Sequence, residues 1–150
     1  AGFQIDTGPA PSRPKTNFKG TPRPEMVADL ARMEEALGDG TCVINALSPG
    51  NHDGSEEHYG RPGHLPGAAN VYALHLLDPV THCYLPKAQL EALFDEITSE
   101  GQPIVTYCGG GIAATSDAFV LKALLGRDDV TVYDGSLSEW LLDPNRPLEV

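Results

Sequence analysis

Segments with helical and strand-like hydrophobic patterns alternate along the chain. Apolar residues recur at three- and four-residue steps in residues 24–38 and 86–100, which predicts two helices. A third helix is predicted after a run of glycines, at about residues 112–125. Short apolar runs predict buried strands at residues 41–47, 103–107 and 130–133. Residues 64–71 are predicted to form a turn that leads into a further short strand. The polar, glycine-containing stretch 48–63 predicts a loop. This alternation indicates an α/β fold in which a central parallel sheet is flanked by helices on both faces.

The N-terminal stretch differs from the rest of the chain. Residues 1–24 hold five of the 13 prolines, which predicts an extended arm or interdomain linker, and residues 25–150 are predicted to form one domain. The arm has four Lys and Arg against one Asp, or +3, whereas the remainder has six against twenty, or −14. Because the chain opens without a Met and without a signal-peptide pattern, we expect a piece of a longer protein or a processed chain.

Composition and charge exclude several classes of partner. With 10 Lys and Arg against 21 Asp and Glu, the chain carries −11, so it offers no general basic surface for nucleic acid or an anionic membrane. No apolar run approaches the roughly 20 residues that a bilayer-spanning helix needs. Three widely spaced cysteines suit neither a disulfide framework nor a zinc site. We therefore expect a reducing, cytoplasmic location.

The candidate nucleophile is a cysteine at the junction between a predicted strand and a predicted helix. Cys108 ends the strand 103–107, and Gly109–Gly111 and the helix follow at once. Backbone N–H groups of a glycine turn and the positive end of a helix both stabilise a thiolate. A buried cysteine beside glycines that only reverse the chain is the structural alternative, and it is the preferred interpretation for Cys42 and Cys83.

Three segments, in order, resemble those of rhodanese domains. They are Arg61-Pro62-Gly63-His64-Leu65-Pro66-Gly67-Ala68-Ala69-Asn70-Val71, then Pro103-Ile104-Val105-Thr106-Tyr107-Cys108-Gly109, then Val132-Tyr133-Asp134-Gly135-Ser136-Leu137-Ser138-Glu139-Trp140. The chain is thereby identified as a member of the rhodanese-like family of thiosulfate and 3-mercaptopyruvate sulfurtransferases. The proline-rich arm resembles the junction before the catalytic C-terminal domain of tandem sulfurtransferases, which implies a preceding rhodanese-like domain as a partner.

The resemblance implies sulfur transfer through a persulfide on Cys108. The donor would be a small anion such as thiosulfate or 3-mercaptopyruvate, the acceptor a thiol or cyanide, and neither a metal nor an organic cofactor would be needed. The backbone of Gly109, Gly110, Gly111, Ile112 and Ala113 would bind the substrate. The alternative is a catalytically weak sulfur carrier or a regulatory binding module. A cysteine phosphatase is excluded because its loop closes with an arginine, and here Ala114 occupies that position.

The loop Cys108–Ala114, here called the active loop, departs from the family pattern. Gly110 and Ala113 stand where mercaptopyruvate-type enzymes have hydroxyl residues, so side-chain proton relay is lost and the backbone alone remains. Arg61 is the one candidate anion clamp; a surface ion pair with Glu56 or Glu57 is its alternative. We expect His64 to order its own turn, and Asp134 and Ser136 to brace the loop ahead of Trp140 rather than to take part in the chemistry.

Overall fold

The computed structural model describes Ile5 and residues 7–150, and within them five parallel strands form one sheet. The order across the sheet is β1-β5-β4-β2-β3, and all four pairings are parallel. The strands in chain order are β1 (Val27–Ala28), β2 (Cys42–Asn45), β3 (Ala69–Asn70), β4 (Ile104–Tyr107) and β5 (Val130–Tyr133). The central strand β4 pairs with β2 and β5, so its carboxyl end lies in the middle of one sheet edge.

Helices connect the strands. They are α1 (Leu30–Ala36), α2 (Pro49–His52), α3 (Lys87–Asp95), α4 (Ile112–Phe119) and α5 (Ser136–Trp140). A π-helix, Val120–Leu124, directly continues α4, and 3₁₀ turns are formed by Pro24–Met26 and Ala73–Leu76. Helix α4 follows β4 after a four-residue turn. The Thr106 hydroxyl donates to the Ala114 carbonyl across 3.0 Å, which ties the first turns of this helix to the strand below.

Two apolar cores lie on the two faces of the sheet. Alternate strand residues point to opposite faces, so Val43 and Val105 enter one core while Ile44 and Ile104 enter the other. The first core is filled by Met33, Tyr107, Tyr133, Leu137 and Trp140, and the second by Leu76, Leu90, Phe94 and Leu121. The predicted α/β fold, with helices on both faces of a parallel sheet, is confirmed.

The first predicted helix is divided in the structure. Residues 24–38 form a 3₁₀ turn, the edge strand β1 and only then α1. The helix begins after Asp29, whose carboxylate accepts the Arg32 N–H at 2.9 Å and so caps the first turn. Val27 pairs with Val132 of β5 instead of extending the helix. Sheet pairing thus overrides a helical pattern at the edge strand.

Two other short elements also lie outside the sequence prediction. Helix α2 lies within the predicted loop 48–63, where the Ser48 hydroxyl accepts the Asn51 N–H and Pro49 occupies the first helical position. Helix α5 follows the predicted turn at Asp134 and Gly135. Both helices are too short to produce a hydrophobic period in the sequence.

The N-terminal arm remains a prediction as a separate unit. Its described residues, Ile5 and 7–24, are all exposed, and those up to 23 form neither helix nor strand; positions 1–4 and 6 lie outside the described residues. Along the described chain, no helix has the length and apolar character needed to cross a membrane.

Candidate active site

Cys108 lies at the carboxyl edge of the sheet, immediately after β4. Its residue surface is only 3% exposed, and it borders a cavity of about 520 Å³. The cavity is lined by Leu47, Tyr59, Tyr72, Ala73, Leu74, Leu77, Cys108, Gly109, Gly110, Ile112, Ala113 and Ser116. None of these side chains is a charged Asp, Glu, Lys or Arg. The position agrees with the rule that ligands of open α/β sheets bind beyond the carboxyl ends of the strands.

The turn from Cys108 into α4 requires glycine at Gly111. This residue has φ +85°, a left-handed conformation that side chains disfavour, and a Cβ there would lie 2.9 Å from the Asp134 carbonyl oxygen. Gly110 faces more open space, because its nearest neighbour would be the Ser138 hydroxyl at 3.6 Å. The close packing against the 134–138 segment therefore fixes one side of the loop.

Ser136 holds both ends of this turn. Its Oγ accepts the N–H of Cys108 at 3.0 Å and the N–H of Gly111 at 3.1 Å, and its own O–H donates to the Tyr133 carbonyl at 2.8 Å. Ser136 is fully buried and has φ +50°. One hydroxyl thus satisfies three backbone groups and ties the 134–140 segment to the turn after Cys108, whereas the sequence predicted only that Ser136 braces the loop ahead of Trp140.

The start of α5 binds the carbonyl groups of the same loop. The Leu137 N–H donates to the Cys108 carbonyl at 3.1 Å, and the Ser138 N–H donates to the Gly109 carbonyl at 2.9 Å. The Ser138 hydroxyl donates to that same Gly109 oxygen at 2.7 Å. These bonds turn the carbonyl groups of Cys108 and Gly109 toward α5.

Of the five backbone N–H groups predicted to bind the substrate, four are available in the structure. Within the described residues, the N–H groups of Gly109, Gly110, Ile112 and Ala113 have no hydrogen-bond acceptor, and all four residues line the cavity. Gly111 differs, since its N–H is bonded to Ser136 and it does not line the cavity. Ile112 and Ala113 also begin α4, whose dipole adds partial positive charge at this end. The loop can therefore receive an anion through its backbone.

Arg61 lies away from this group. Its Nη1 donates to the carbonyl oxygens of Pro144, at 3.2 Å, and Arg146, at 2.9 Å, and its side chain does not line the cavity. In the described part of the chain it pairs with neither Glu56 nor Glu57. The structure thus places Arg61 as a clamp on the C-terminal segment, and a role as substrate clamp is not supported by its contacts.

Tyr59 is one of the cavity residues that the sequence did not identify; the others are Leu47, Tyr72, Ala73, Leu74, Leu77 and Ser116. The Tyr59 ring packs directly on Gly109, so closely that a Cβ on this glycine would overlap it. Burial, and then the neighbouring Cys108, raise the pKa of Tyr59. An aromatic residue in the otherwise polar stretch 48–63 was the available signal.

The other cysteines show no comparable environment. Cys42 is buried in β2, its Sγ donates to the Ile97 carbonyl at 3.3 Å, and burial raises its pKa. Cys83 is exposed, and its Sγ bonds only to the nearby Thr81 carbonyl at 3.7 Å. Neither lines the cavity beside Cys108.

The histidines order a loop next to β2. The His64 Nδ1–H donates to the His52 carbonyl at 2.6 Å, and the two rings stack 3.7 Å apart. Burial and the adjacent His64 lower the pKa of His52 to about 4. These contacts link His64 to the end of α2 rather than to its own turn, so the turn-ordering role expected of His64 stays a prediction. Among the described residues, no three His, Cys, Asp or Glu side chains cluster so as to hold a metal ion.

The sequence model of the rhodanese-like domain matches residues 49–143. The chain belongs to the rhodanese-like domain family. This match includes the Cys108 loop, α5 and every cavity-lining residue except Leu47, and it confirms the resemblance drawn from the three motifs.

Relatives of this rhodanese-like domain carry sulfurtransferase names. A probable 3-mercaptopyruvate sulfurtransferase of Pseudomonas aeruginosa is 32% identical over an aligned length of 153 positions, which includes 99% of this chain and 52% of the relative. The mitochondrial thiosulfate/3-mercaptopyruvate sulfurtransferase 1 of Arabidopsis thaliana is 35% identical over 132 residues, covering 85% and 34% respectively. The chain thus spans about half or less of the curated relatives it matches.

A solved structure supports the fold of this rhodanese-like domain. The structure of an EanB variant in complex with ergothioneine superposes with a TM-score of 0.84 at 24% identity, covering 99% of this chain and 38% of that one. At this identity the likeness concerns the architecture alone.

Proposed function

We propose that this domain transfers sulfane sulfur through a persulfide on Cys108, from thiosulfate or 3-mercaptopyruvate to a thiol or cyanide. One observation carries the proposal. Cys108 lines the same cavity as Gly109, Gly110, Ile112 and Ala113, whose backbone N–H groups have no acceptor among the described residues. Family membership and the sulfurtransferase names of the relatives support the same class of reaction.

The reaction has two steps. In the first, the Cys108 thiolate attacks the outer sulfur of the donor, a sulfur–sulfur bond forms, and the donor's own bond to that sulfur breaks; sulfite leaves from thiosulfate, and pyruvate is formed from 3-mercaptopyruvate. In the second, an acceptor thiolate or cyanide attacks the outer sulfur, and the Cys108 thiolate leaves. Such covalent catalysis divides one difficult transfer into two easier ones.

Backbone groups supply the electrostatic stabilisation in this proposal. The N–H groups of Gly109, Gly110, Ile112 and Ala113 are held in place before the donor arrives, because the rest of the loop is fixed by Ser136 and Ser138. Preorganised donors of this kind stabilise developing negative charge without reorganisation. No charged side chain among the described lining residues adds to them.

The absence of a cationic side chain in the loop also argues against phosphoryl chemistry. The first basic residue after Cys108 is Lys122, whose Nζ donates to the Asp128 carbonyl at 2.8 Å. It lies in the π-helix beyond α4 and does not line the cavity. A phosphate dianion would therefore lack the bidentate side-chain donor that cysteine phosphatases provide.

Intact-mass measurement after incubation with each donor tests the proposal. We expect a gain of one sulfur atom in the wild-type protein and in Cys83→Ser, which keeps the cavity, and no gain in Cys108→Ser. Adding cyanide is then expected to remove the sulfur and release thiocyanate in repeated turnovers.

The alternative outcomes are distinct. Sulfur that loads onto Cys108 but is released neither to cyanide nor to thiols would favour the sulfur-carrier alternative over an enzyme. No gain with either donor, or a gain that persists in Cys108→Ser, would contradict the proposal.

A preceding rhodanese-like domain of the same longer protein and a cytoplasmic location belong to this proposal as partner and setting. The share of the relatives' length that the chain leaves unmatched is compatible with such a domain.

A further inference from the structure

The loop around Cys108 offers no free hydroxyl of its own. Gly110 and Ala113 have none. The Ser136 hydroxyl lies 4.0 Å from the Cys108 Sγ, but its Oγ accepts two N–H groups and its O–H has a much shorter bond, 2.8 Å, to the Tyr133 carbonyl. A carbon leaving group such as that of 3-mercaptopyruvate nevertheless needs a proton when its bond to sulfur breaks. If the protein itself supplies this proton, the donor group lies in another part of the cavity wall.

We propose that Tyr59 is a catalytic residue that donates its phenolic proton to the carbon leaving group of 3-mercaptopyruvate. The proposal rests on the proposed function, and specifically on sulfur transfer from a carbon-bound donor. It assigns to the 48–63 stretch the proton transfer that the loop has lost.

The position of Tyr59 supports this role. The hydroxyl-bearing edge of its ring packs on Gly109, the residue that directly follows Cys108, and the side chain lines the same cavity. The residue is 38% exposed, so its hydroxyl can take up a proton from solvent after each turnover. Within the described chain this hydroxyl has no hydrogen-bond partner.

Three other hydroxyls near the cavity, those of Ser116, Tyr84 and Tyr107, are hydrogen-bonded to other groups, whereas the cavity residue Tyr72 is described only by a ring contact with His75. Ser116 and Tyr84 share a hydrogen bond of 3.0 Å. The Tyr107 oxygen accepts the Leu65 N–H at 2.9 Å and is buried in the core. Tyr72 lines the cavity, and its ring meets His75 edge-on at 5.1 Å. Among the described residues, Tyr59 is thus the tyrosine whose ring packs on Gly109 of the loop and whose hydroxyl has no other hydrogen bond.

The protonation state of Tyr59 also suits a donor. Burial, followed by the nearby Cys108, raises its pKa above the ordinary value of 10.0, so the phenol keeps its proton at neutral pH. In the step itself, the Cys108 thiolate forms the new sulfur–sulfur bond, and the carbon–sulfur bond breaks with its electron pair going to carbon. The resulting enolate of pyruvate takes the phenolic proton, and the tyrosinate regains one from water.

Thiosulfate provides an internal comparison. Its leaving group, sulfite, departs with the electron pair on sulfur and needs no proton on the atom whose bond breaks. Loss of the phenol should therefore affect one donor and spare the other, whereas a structural role of the ring would affect both.

The experiment compares Tyr59→Phe with Tyr84→Phe, a matched control because Tyr84 is also 38% exposed and lies outside the cavity lining. Steady-state kcat is measured with each donor and cyanide as acceptor. General acid catalysis contributes about 10²- to 10⁴-fold, so we expect Tyr59→Phe to lower kcat for 3-mercaptopyruvate by about 100-fold or more. With thiosulfate we expect a change of about twofold or less, and Tyr84→Phe should change neither rate by more than that.

The outcomes separate this inference from the proposed function. An equal fall with both donors, or no fall with 3-mercaptopyruvate, would overturn the catalytic role of Tyr59. Wild-type protein that uses thiosulfate but not 3-mercaptopyruvate would also overturn it while leaving sulfur transfer intact. Wild-type protein that loads sulfur from neither donor would overturn both.

Discussion

Replacement of Ser136 by alanine is the sharpest test of how the active loop is held. The substitution removes the oxygen that accepts the N–H groups of Cys108 and Gly111 and that donates to the Tyr133 carbonyl. The site is fully buried, so these backbone groups lose their partner without gaining free access to solvent. The methyl group of alanine fills most of the space but cannot bond to them.

The magnitude follows from the groups left without partners. A buried donor or acceptor without a hydrogen bond costs about 1–3 kcal/mol, so two N–H groups together cost about 3 kcal/mol even if part of the penalty is relieved by relaxation. For a domain of this size, 1 kcal/mol corresponds to about 2–4 °C in Tm, so Ser136→Ala should lower Tm by about 6–12 °C.

Ser138→Ala is the matched control. Its hydroxyl also bonds to the loop, at the Gly109 carbonyl, but that oxygen keeps the Ser138 backbone N–H as a second donor. No group is stranded, so the expected loss is about 1 kcal/mol. Ser136→Gly loses the same side-chain bonds as Ser136→Ala but relieves the left-handed φ of +50°, and it should retain about 1 kcal/mol more stability than the alanine variant.

Thermal and urea unfolding of the three variants and the wild type measure these differences. Cyanide-dependent turnover, followed well below the Tm of each variant, then shows whether the loosened loop still presents its N–H groups; we expect Ser136→Ala to lose more activity than Ser138→Ala. If Ser136→Ala and Ser138→Ala unfold at the same temperature, the three-bond account of Ser136 is refuted.

Two further predictions concern charge. Asp117 is buried in α4, and among the described residues neither of its carboxylate oxygens is hydrogen-bonded. Burial raises the pKa of Asp117 well above the ordinary value, so the folded state keeps a proton that the unfolded state releases near pH 4. The stability of the folded state therefore falls as the pH rises above 4. The Tm of Asp117→Asn minus the Tm of the wild type should accordingly increase between pH 4.5 and pH 7. A difference that stays constant over this range would contradict the prediction. Because the described cavity lining has no cationic side chain, we expect a KM for thiosulfate of about 1 mM or above, which is the upper end of ordinary KM values. A micromolar KM measured from initial rates would contradict this, because it would show that the backbone alone binds the anion tightly.

Three of the five strands, and Cys108 as the candidate nucleophile, could be predicted from the amino-acid sequence alone. The strands β2, β4 and β5 are short apolar runs because both faces of a parallel sheet are covered, and such runs are visible without any tertiary information. Cys108 was identifiable for a similar reason, since a strand, a glycine turn and a helix follow one another within a few residues.

Tertiary structure decided which other residues surround Cys108. Tyr59 reaches Gly109 from a loop about fifty residues earlier in the chain, and Ser136 reaches the same turn from twenty-eight residues later. Arg61 follows Tyr59 by two residues, yet its guanidinium binds carbonyl groups of the C-terminal segment. Hydrophobic periodicity reports which face of an element is buried, and it carries no information on where an irregular loop folds back. The contacts of such loops are set by packing between distant segments, and for this reason the cavity wall became visible only in the folded chain.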